Sequence, residues 1–381
     1  MKEILSIIEK ETDGKCYGSK KFSIDIDTDS TIIYDDEKEI IVAEDGETEH
    51  QDTYIDLKNL SKDILLDVPL FKYFLDGSRR VYKIDDINYR DKIYPIIAGQ
   101  IGVGCCCRIN RKMHNFKHLK ENVIVLPQDA NADGRDDECF FENIRNNINA
   151  NAKFLLEHKL LIDKIMFCSH KNKEKEFKDI SIAKIQDRMI ELEKELVAKL
   201  VKENLLNEHT FLVKDGSLEY KVTKKNDKYE YAKIRNNYRC VIGVSKSFNP
   251  ALAKLKNKKS MAERIANLPL FNRTPAIMHQ TPYTGEERFA VWYLRIRKAD
   301  HCSSPFDGVL KVEKLLVTEN EKEYGLETDT INMISANLIN ERNPVCYGTD
   351  NRWANHIYPI FLTESYIKSK YLSNSFFINL F

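Results

Sequence analysis

Short apolar runs separated by polar residues recur along most of this chain and predict β-strands. The runs cover residues 72–76, 80–84, 94–104, 122–127, 165–168, 238–246 and 289–296. The first three follow each other closely, which predicts an antiparallel meander. A helical region is predicted between residues 137 and 161, and a terminal helix is predicted to begin near Pro359. Strands and helices in this order predict an α/β fold, a mixed sheet flanked by helices.

The clearest helix spans residues 182–206, where apolar side chains recur at helical spacing: Ile185, Met189, Leu192, Leu196 and Leu200. On a helical wheel Glu193 falls inside this apolar sector, whereas Glu191 and Glu195 lie on the opposite flank. A buried carboxylate requires a cation, hydrogen-bond donors or a metal ion. Glu193 is therefore either a partnered buried group or a boundary residue whose stem packs while its carboxylate reaches water.

The first 65 residues differ from the rest in charge. Between Asp25 and Asp56 there are thirteen acidic residues and one lysine, Lys38, among short β-type runs at 30–34 and 39–42. We expect an acidic N-terminal extension or small β subdomain over residues 1–65, and a main domain over residues 66–381 with a helical insertion at about 137–206. The acidic segment would repel a phosphate backbone, so a protein partner, a second protomer or shielding of the active site fits it better.

Composition excludes a membrane-spanning helix but leaves the class of soluble function open. The chain has 381 residues, 42% of them hydrophobic and 31% charged, and no apolar run approaches the ~18 residues of a spanning helix. The N-terminus lacks the features of a signal peptide, so we expect a cytoplasmic protein. The nine cysteines include no Cys-x-x-Cys pair, and Cys105, Cys106 and Cys107 are expected to pack in the core rather than to bind metal.

Positive charge is balanced overall but clustered locally. Lysine plus arginine equals aspartate plus glutamate at 59 each, so net charge does not decide for or against a nucleic-acid partner. One cluster consists of Lys254, Lys256, Lys258 and Lys259. Such a cluster either contacts phosphate or forms a solvated face.

The tripeptide Asp-Gly-Ser occurs twice, each time at the end of an apolar run, and places Asp76 and Asp215 at predicted strand ends. A glycine after the aspartate lets a phosphate or metal approach the backbone, although Asp-Gly is also a common turn dipeptide. Together with Glu193, these carboxylates match the needs of a ribonuclease-H-like site, in which metal ions align a water and stabilise the leaving oxygen. Walker A, GxSxG and HExxH motifs are absent from the sequence, which argues against an ATPase, a serine hydrolase of that type and a zincin.

The order of these motifs resembles the NurA nuclease family. The resemblance rests on Leu75-Asp76-Gly77-Ser78, on the segment 212–218 after a glutamate-bearing helix, on the segment 241–247, and on Tyr358-Pro359 before a terminal helix. It spans roughly residues 70–380. It implies a ribonuclease-H-like core similar to the Argonaute PIWI domain and cleavage of DNA with Mn²⁺ or Mg²⁺. It also implies a homodimer that works with a HerA-like hexameric ATPase in DNA end processing or in defence against foreign DNA.

The resemblance also assigns roles to residues. Asp76 and Asp215 would be metal ligands, and a glutamate of the preceding helix would be a third. We choose Glu193 because the wheel turns it inward, with Glu191 as the second choice. Lys246 would be a catalytic lysine that holds a phosphate or a carboxylate.

The terminal helix departs from the family pattern. Members commonly carry a histidine there, and Tyr366 occupies the corresponding place in this chain. Either Glu364 completes the site, or His356 reaches it from before Tyr358-Pro359, or the fourth ligand is absent. In the last case the chain would be a degenerate subunit that binds the ATPase or DNA without cutting.

Overall fold

The structure is a computed structural model. It describes residues 3–24, 42–49, 53–64, 68–131, 134, 136–169, 176–219, 228–254, 259–280, 285–345 and 353–381. The predicted run at 30–34 lies outside the described residues, as does nearly all of the run at 39–42. Lys256 and Lys258 also lie outside them.

Helices and strands alternate through most of the described chain. The helices are α1 Glu3–Thr12, α2 Lys58–Asp63, α3 Asp137–Asn151, α4 Lys153–Glu157, α5 Phe177–Lys202, α6 Lys228–Tyr238, α7 Ala262–Ala266, α8 Glu319–Tyr324, α9 Thr328–Asn340, α10 Tyr358–Lys368 and α11 Asn374–Ile378. The strands are β1 Lys15–Cys16, β2 Phe22–Ser23, β3 Val42–Asp45, β4 Ile55–Asp56, β5 Phe71–Tyr89, β6 Lys92–Ile109, β7 Lys112–Pro127, β8 Lys164–Cys168, β9 Phe211–Asp215, β10 Val241–Ser245, β11 Asn272–Arg273, β12 Ile277–Gln280, β13 Phe289–Arg295 and β14 Val309–Leu315.

One large mixed sheet organises the molecule, in the order β3-β12-β13-β14-β10-β9-β5-β6-β7-β8. Strands β5, β6 and β7 form the antiparallel meander, β9 lies parallel to β5, and β10 lies parallel to β9. Helices pack on this sheet. The predicted mixed sheet flanked by helices is confirmed, and its centre has the meander followed by parallel strands that a ribonuclease-H-like core requires.

Two sequence predictions about element ends are wrong. Residues 72–76 and 80–84 belong to a single strand, β5, because Asp76 and Gly77 keep ladder pairing with Gly104 and Val103 of β6. The first Asp-Gly-Ser therefore continues a strand instead of turning. Helix α10 does start at Tyr358, but the short helix α11 follows it, so α10 is not the last helix.

Small residues on β6 set how closely helices approach the sheet. Ile185 of α5 lies over Gly99, while Ile367 of α10 lies over Gly102 and Gly104. Because side chains alternate between the faces of a strand, the odd and even positions place α5 and α10 on opposite faces. A Cβ at Gly102 would lie 2.5 Å from Ile367 Cγ2. The glycines thus allow α10 to sit directly on the backbone of β6.

The described part of the first 65 residues packs onto the main sheet. Strands β1 and β2 pair with β5, β3 pairs with β12, and β4 pairs with β11. Helix α1 contributes Ile4, Leu5 and Ile8 to the hydrophobic core. Glu47, from the acidic segment, is buried and accepts hydrogen bonds from Arg273 at 3.0 and 2.7 Å. Removal of residues 1–65 would therefore open the core.

The three adjacent cysteines are buried in β6, which confirms their predicted place in the core. Burial raises the pKa of the Cys106 and Cys107 thiols. Among the described residues, no helix has both the length and the apolar character needed to cross a membrane.

Candidate active site

The two Asp-Gly-Ser aspartates lie side by side where parallel strands separate. Leu75 of β5 is in register with Lys214 of β9, and the pairing of these strands ends there. Asp76 and Asp215 are the next residues on each strand. Asp76 is 5% exposed, and the backbone N–H of Gly77 donates to its Oδ1 at 2.8 Å. Sheet register therefore brings together two carboxylates that are 139 positions apart in sequence.

Glu193 approaches the strand beside Asp76 from α5, on the face of the sheet opposite to α10. Its side chain is buried, and a Cβ at Gly77 would overlap its carboxylate, so glycine is required there for close approach. Glu191 is exposed and pairs with Arg188 at 2.8 Å. The predicted inward orientation of Glu193, and the outward one of Glu191, are confirmed. Gly77 serves the contact with Glu193 rather than an open approach to the backbone.

The cation that accompanies buried Glu193 is Lys214. Its Nζ lies 2.9 Å from Glu193 Oε2, and both side chains are about 5% exposed or less. The same Nζ donates to the carbonyl oxygens of Asp215 at 2.8 Å and Ser217 at 3.4 Å. One ammonium group therefore ties the helical carboxylate to the second Asp-Gly-Ser segment.

The second Asp-Gly-Ser lies where strand β9 ends, and buried charges hold it there. Gly216 has φ +83°, a conformation that favours glycine. In register with Lys214 across β10, the fully buried Glu313 of β14 accepts hydrogen bonds from Ser217 Oγ at 2.9 Å and from the Leu218 N–H at 2.7 Å. Lys311 pairs with Glu313 at 2.6 Å. The segment that carries Asp215 is therefore fixed by the buried charges of Lys214 and Glu313.

Lys246 follows β10 and points at the aspartates. Its Nζ donates to Asp215 Oδ2 at 2.9 Å, and the side chain is almost fully buried. Burial alone would lower the pKa of Lys246, but the carboxylates of Asp215, Asp76 and Glu364 raise it. The ammonium group is therefore held in its charged form beside the acidic cluster.

Glu364 joins the group from α10. Its charge acts on both Asp76 and Lys246, and its own side chain pairs with Lys368 at 2.6 Å. This position follows from the seating of α10 on Gly102 and Gly104. Of the alternatives for the terminal helix, Glu364 is the one whose charge acts on Asp76.

Asp76 carries the strongest electrostatic perturbation in the cluster. Burial raises the pKa of its carboxyl group well above the ordinary range, and the charges of Asp215, Glu364 and Glu193 raise it further, while Lys246 lowers it. Burial also raises the pKa of Glu193, against the lowering effect of Lys214. The cluster thus gathers four carboxyl groups, and in the part of the chain that the structure describes all but that of Asp76 pair with a lysine.

The remaining predicted site residues lie outside the acidic cluster or at its edge. His356 is buried before α10 with its ring 5.8 Å from that of Phe361. Tyr366 lies against Gly104 and His118. Lys254 and Lys259 are exposed and flank the undescribed residues 255–258.

Sequence reasoning gave no role to Lys214 or Glu313. Lys214 was visible as a lysine inside an apolar run, immediately before the second Asp-Gly-Ser. Glu313 stands in the sequence Val-Leu-Lys-Val-Glu-Lys-Leu, where charges interrupt an apolar strand. A charge inside an apolar run was the available signal in both cases.

The donor set matches a hard divalent cation, because all four acidic side chains offer carboxylate oxygens. The arrangement does not yet form a metal site. Among the residues that the structure describes, no three His, Cys, Asp or Glu side chains form a group that could hold a metal ion. Lys246 occupies one oxygen of Asp215, and Lys214 occupies one oxygen of Glu193.

Comparison with known proteins shows a structural likeness. No protein-family model and no curated protein sequence matches the chain. The fold is similar to the crystal structure of the NurA nuclease from Sulfolobus solfataricus, with a TM-score of 0.43 and 10% identity over 85% of this chain and 90% of that one. The functional proposal therefore depends on the geometry of the site itself.

Proposed function

We propose that this protein is a metal-dependent DNA nuclease with Asp76, Glu193, Asp215 and Glu364 around its catalytic centre. The observation that carries the proposal is the pair Asp76 and Asp215, which sheet register places side by side where β5 and β9 separate. Burial, and then the charges of three further carboxylates, raise the pKa of Asp76. Such crowding of acidic groups is unfavourable for folding alone, and perturbed groups of this kind cluster at functional sites. A divalent cation, Mn²⁺ or Mg²⁺, would relieve it.

Different residues of the chain would bind the cation and the substrate. Asp76 and Asp215, fixed by adjacent strands, would hold the cation, with Glu193 as the third ligand and Glu364 as the fourth. Lys246 would exchange Asp215 for a phosphate oxygen of the substrate. When bound, a divalent cation of this type lowers the pKa of a water and stabilises the leaving oxygen of a phosphodiester.

Cleavage of linear DNA by the purified chain tests the proposal. We expect activity with Mn²⁺ or Mg²⁺, none with EDTA, and a loss of at least about 100-fold in Asp76→Asn and Asp215→Asn. Glu191→Gln is the matched control, because it removes a carboxylate from the outer flank of the same helix. Activity within a few-fold of the unmodified protein in both aspartate variants would show that the site is wrong.

A second candidate is a nuclease-derived subunit that binds DNA or an ATPase without cutting. The ion pairs Lys214–Glu193 and Lys246–Asp215 favour it, because each occupies an oxygen that a metal would need. DNA binding by the unmodified protein without cleavage in either metal, alone and with a HerA-like ATPase, would select this candidate.

The proposed assembly is a homodimer acting with a HerA-like hexameric ATPase. The acidic segment is the proposed contact surface, and Glu44, Asp45 and Glu49 are three of its exposed described members. Neutralising these three residues tests the contact without removing α1 from the core. We expect weaker co-sedimentation with the ATPase or loss of the dimer by light scattering. Unchanged assembly in both assays would contradict the interaction role.

A further inference from the structure

A basic and aromatic cluster lies beside the acidic site, on the same face of the meander. Asp76 is in register with Gly104, and Gly104 with His118; one row further, Gly102 is in register with Lys120. Residues paired across neighbouring strands share a face, so His118 and Lys120 lie on the Asp76 side of the sheet. Two strand spacings of about 4.8 Å place the His118 backbone roughly 10 Å from that of Asp76.

Helix α10 and the turn after it complete the cluster. The ring of Tyr366 meets that of His118 edge-on at 5.7 Å between centroids, and Lys370 Nζ lies 5.4 Å from the Tyr366 centroid. Burial lowers the pKa of His118, and the charges of Lys370 and Lys120 lower it further. The basic cluster therefore consists of His118, Lys120, Tyr366 and Lys370.

The cluster's charges have no acidic partner within the described part of the chain. Neither Lys120 nor Lys370 makes an ion pair there, although the more distant Asp163 attracts Lys120. The buried Nε2 of His118 has no hydrogen-bond partner. By contrast, Lys214, Lys246 and Lys368 each pair with a carboxylate of the site. Two lysines without an acidic partner among the described residues, one of them over the Tyr366 ring, form a surface that suits an anionic ligand.

We infer that the basic cluster binds a nucleic-acid single strand and leads it to Asp76. Lys120 and Lys370 contact backbone phosphates, and the Tyr366 ring stacks on a base. Cations that follow the backbone, together with aromatic rings that accept any base, are the usual means of binding single strands. The distance from His118 to Asp76 corresponds to about three stacked nucleotides at ~3.4 Å each. The inference rests on the proposed function and adds to it the path of the substrate.

Binding measured without metal separates this inference from catalysis. The probe is a fluorescein-labelled thymidine 20-mer, titrated with the full-length protein in EDTA at several salt concentrations. We expect Lys120→Ala/Lys370→Ala to weaken binding at least about tenfold and to lower the salt slope by about 1.4, since each single-strand phosphate contact contributes ~0.7. Lys58→Ala/Lys233→Ala, which removes two exposed lysines elsewhere, should change neither quantity.

Substitutions at Tyr366 provide an independent test of the same inference. Tyr366→Phe should bind like the unmodified protein, whereas Tyr366→Ala should lose about fivefold or more, since the stacking surface is removed. Binding by the Lys120/Lys370 double variant within twofold of the lysine control, with an unchanged salt slope, would overturn the inference. So would no binding by the unmodified protein, or equal competition by inorganic phosphate. Lysine-dependent binding without metal-dependent cleavage would support the inference while removing the nuclease proposal.

Discussion

Replacement of Glu193 by glutamine should destabilise the protein much more than the same change at Glu191. Glu193 and Lys214 form an ion pair at 2.9 Å with side-chain exposures of 4% and 5%. Removal of one partner of a buried pair costs about 3–5 kcal/mol. Lys214 keeps two carbonyl acceptors, and glutamine preserves the shape, so we expect the lower end, roughly 3 kcal/mol. Glu191 is 57% exposed and its partner Arg188 retains other carboxylates, so Glu191→Gln should cost under ~0.5 kcal/mol.

Urea unfolding followed by circular dichroism, with EDTA present, measures both changes. Lys214→Met and the double variant Glu193→Gln/Lys214→Met complete a cycle, in which we expect a coupling energy of about 1–3 kcal/mol. Equal stability of the two single glutamine variants would refute the reasoning, because it would mean that Glu193 is solvated. A coupling energy near zero would refute the pairing with Lys214 even if Glu193 were buried.

Three further predictions concern pH and packing. Asp76→Asn should raise the free energy of unfolding at neutral pH without metal, because the raised pKa of Asp76 costs stability wherever this group is ionised in the unfolded chain. The gain should vanish as pH falls below about 4, and a gain that does not change with pH would contradict this. Burial, aided by the charge of Lys311, lowers the pKa of His279 to about 3. Stability should therefore fall from about pH 6.5 towards 3 by up to ~1.4 kcal/mol per unit, and His279→Gln should reduce that slope measurably in urea titrations. Gly77→Ala should cost about 1–3 kcal/mol, because the added methyl meets Glu193 and Met189; an unchanged melting temperature would disprove that contact.

Periodicity was sufficient to predict the sheet and the orientation of Glu193. The apolar spacing of residues 182–206 turned Glu193 inward, and its side chain is buried. The first Asp-Gly-Ser shows where local signals fail. Asp-Gly favours a turn, but at Gly77 the ladder with β6 overrides that preference, whereas β9 ends before Gly216, which has a positive φ.

The partners of the site residues could not be predicted, because they depend on register between distant segments. Lys214 pairs with Glu193 only because β9 ends beside α5, and Glu313 reaches Ser217 only because β14 lies next to β10. The position of Glu364 near Asp76 and Lys246 likewise follows from how α10 rests on β6. The spacing of residues along one sequence does not reveal which distant segments lie side by side.

The glycines beneath α10 have a consequence for mutational scanning. Gly102 and Gly104 carry no charge and donate nothing to a substrate, yet a single methyl group at either one would push Ile367 away from β6. The displaced helix would withdraw Glu364, Tyr366 and Lys370 together. A scan for lost activity would then rank substitutions at these glycines with those at the aspartates. Only a measurement of helix position or of stability would distinguish residues that position the site from residues that act in it.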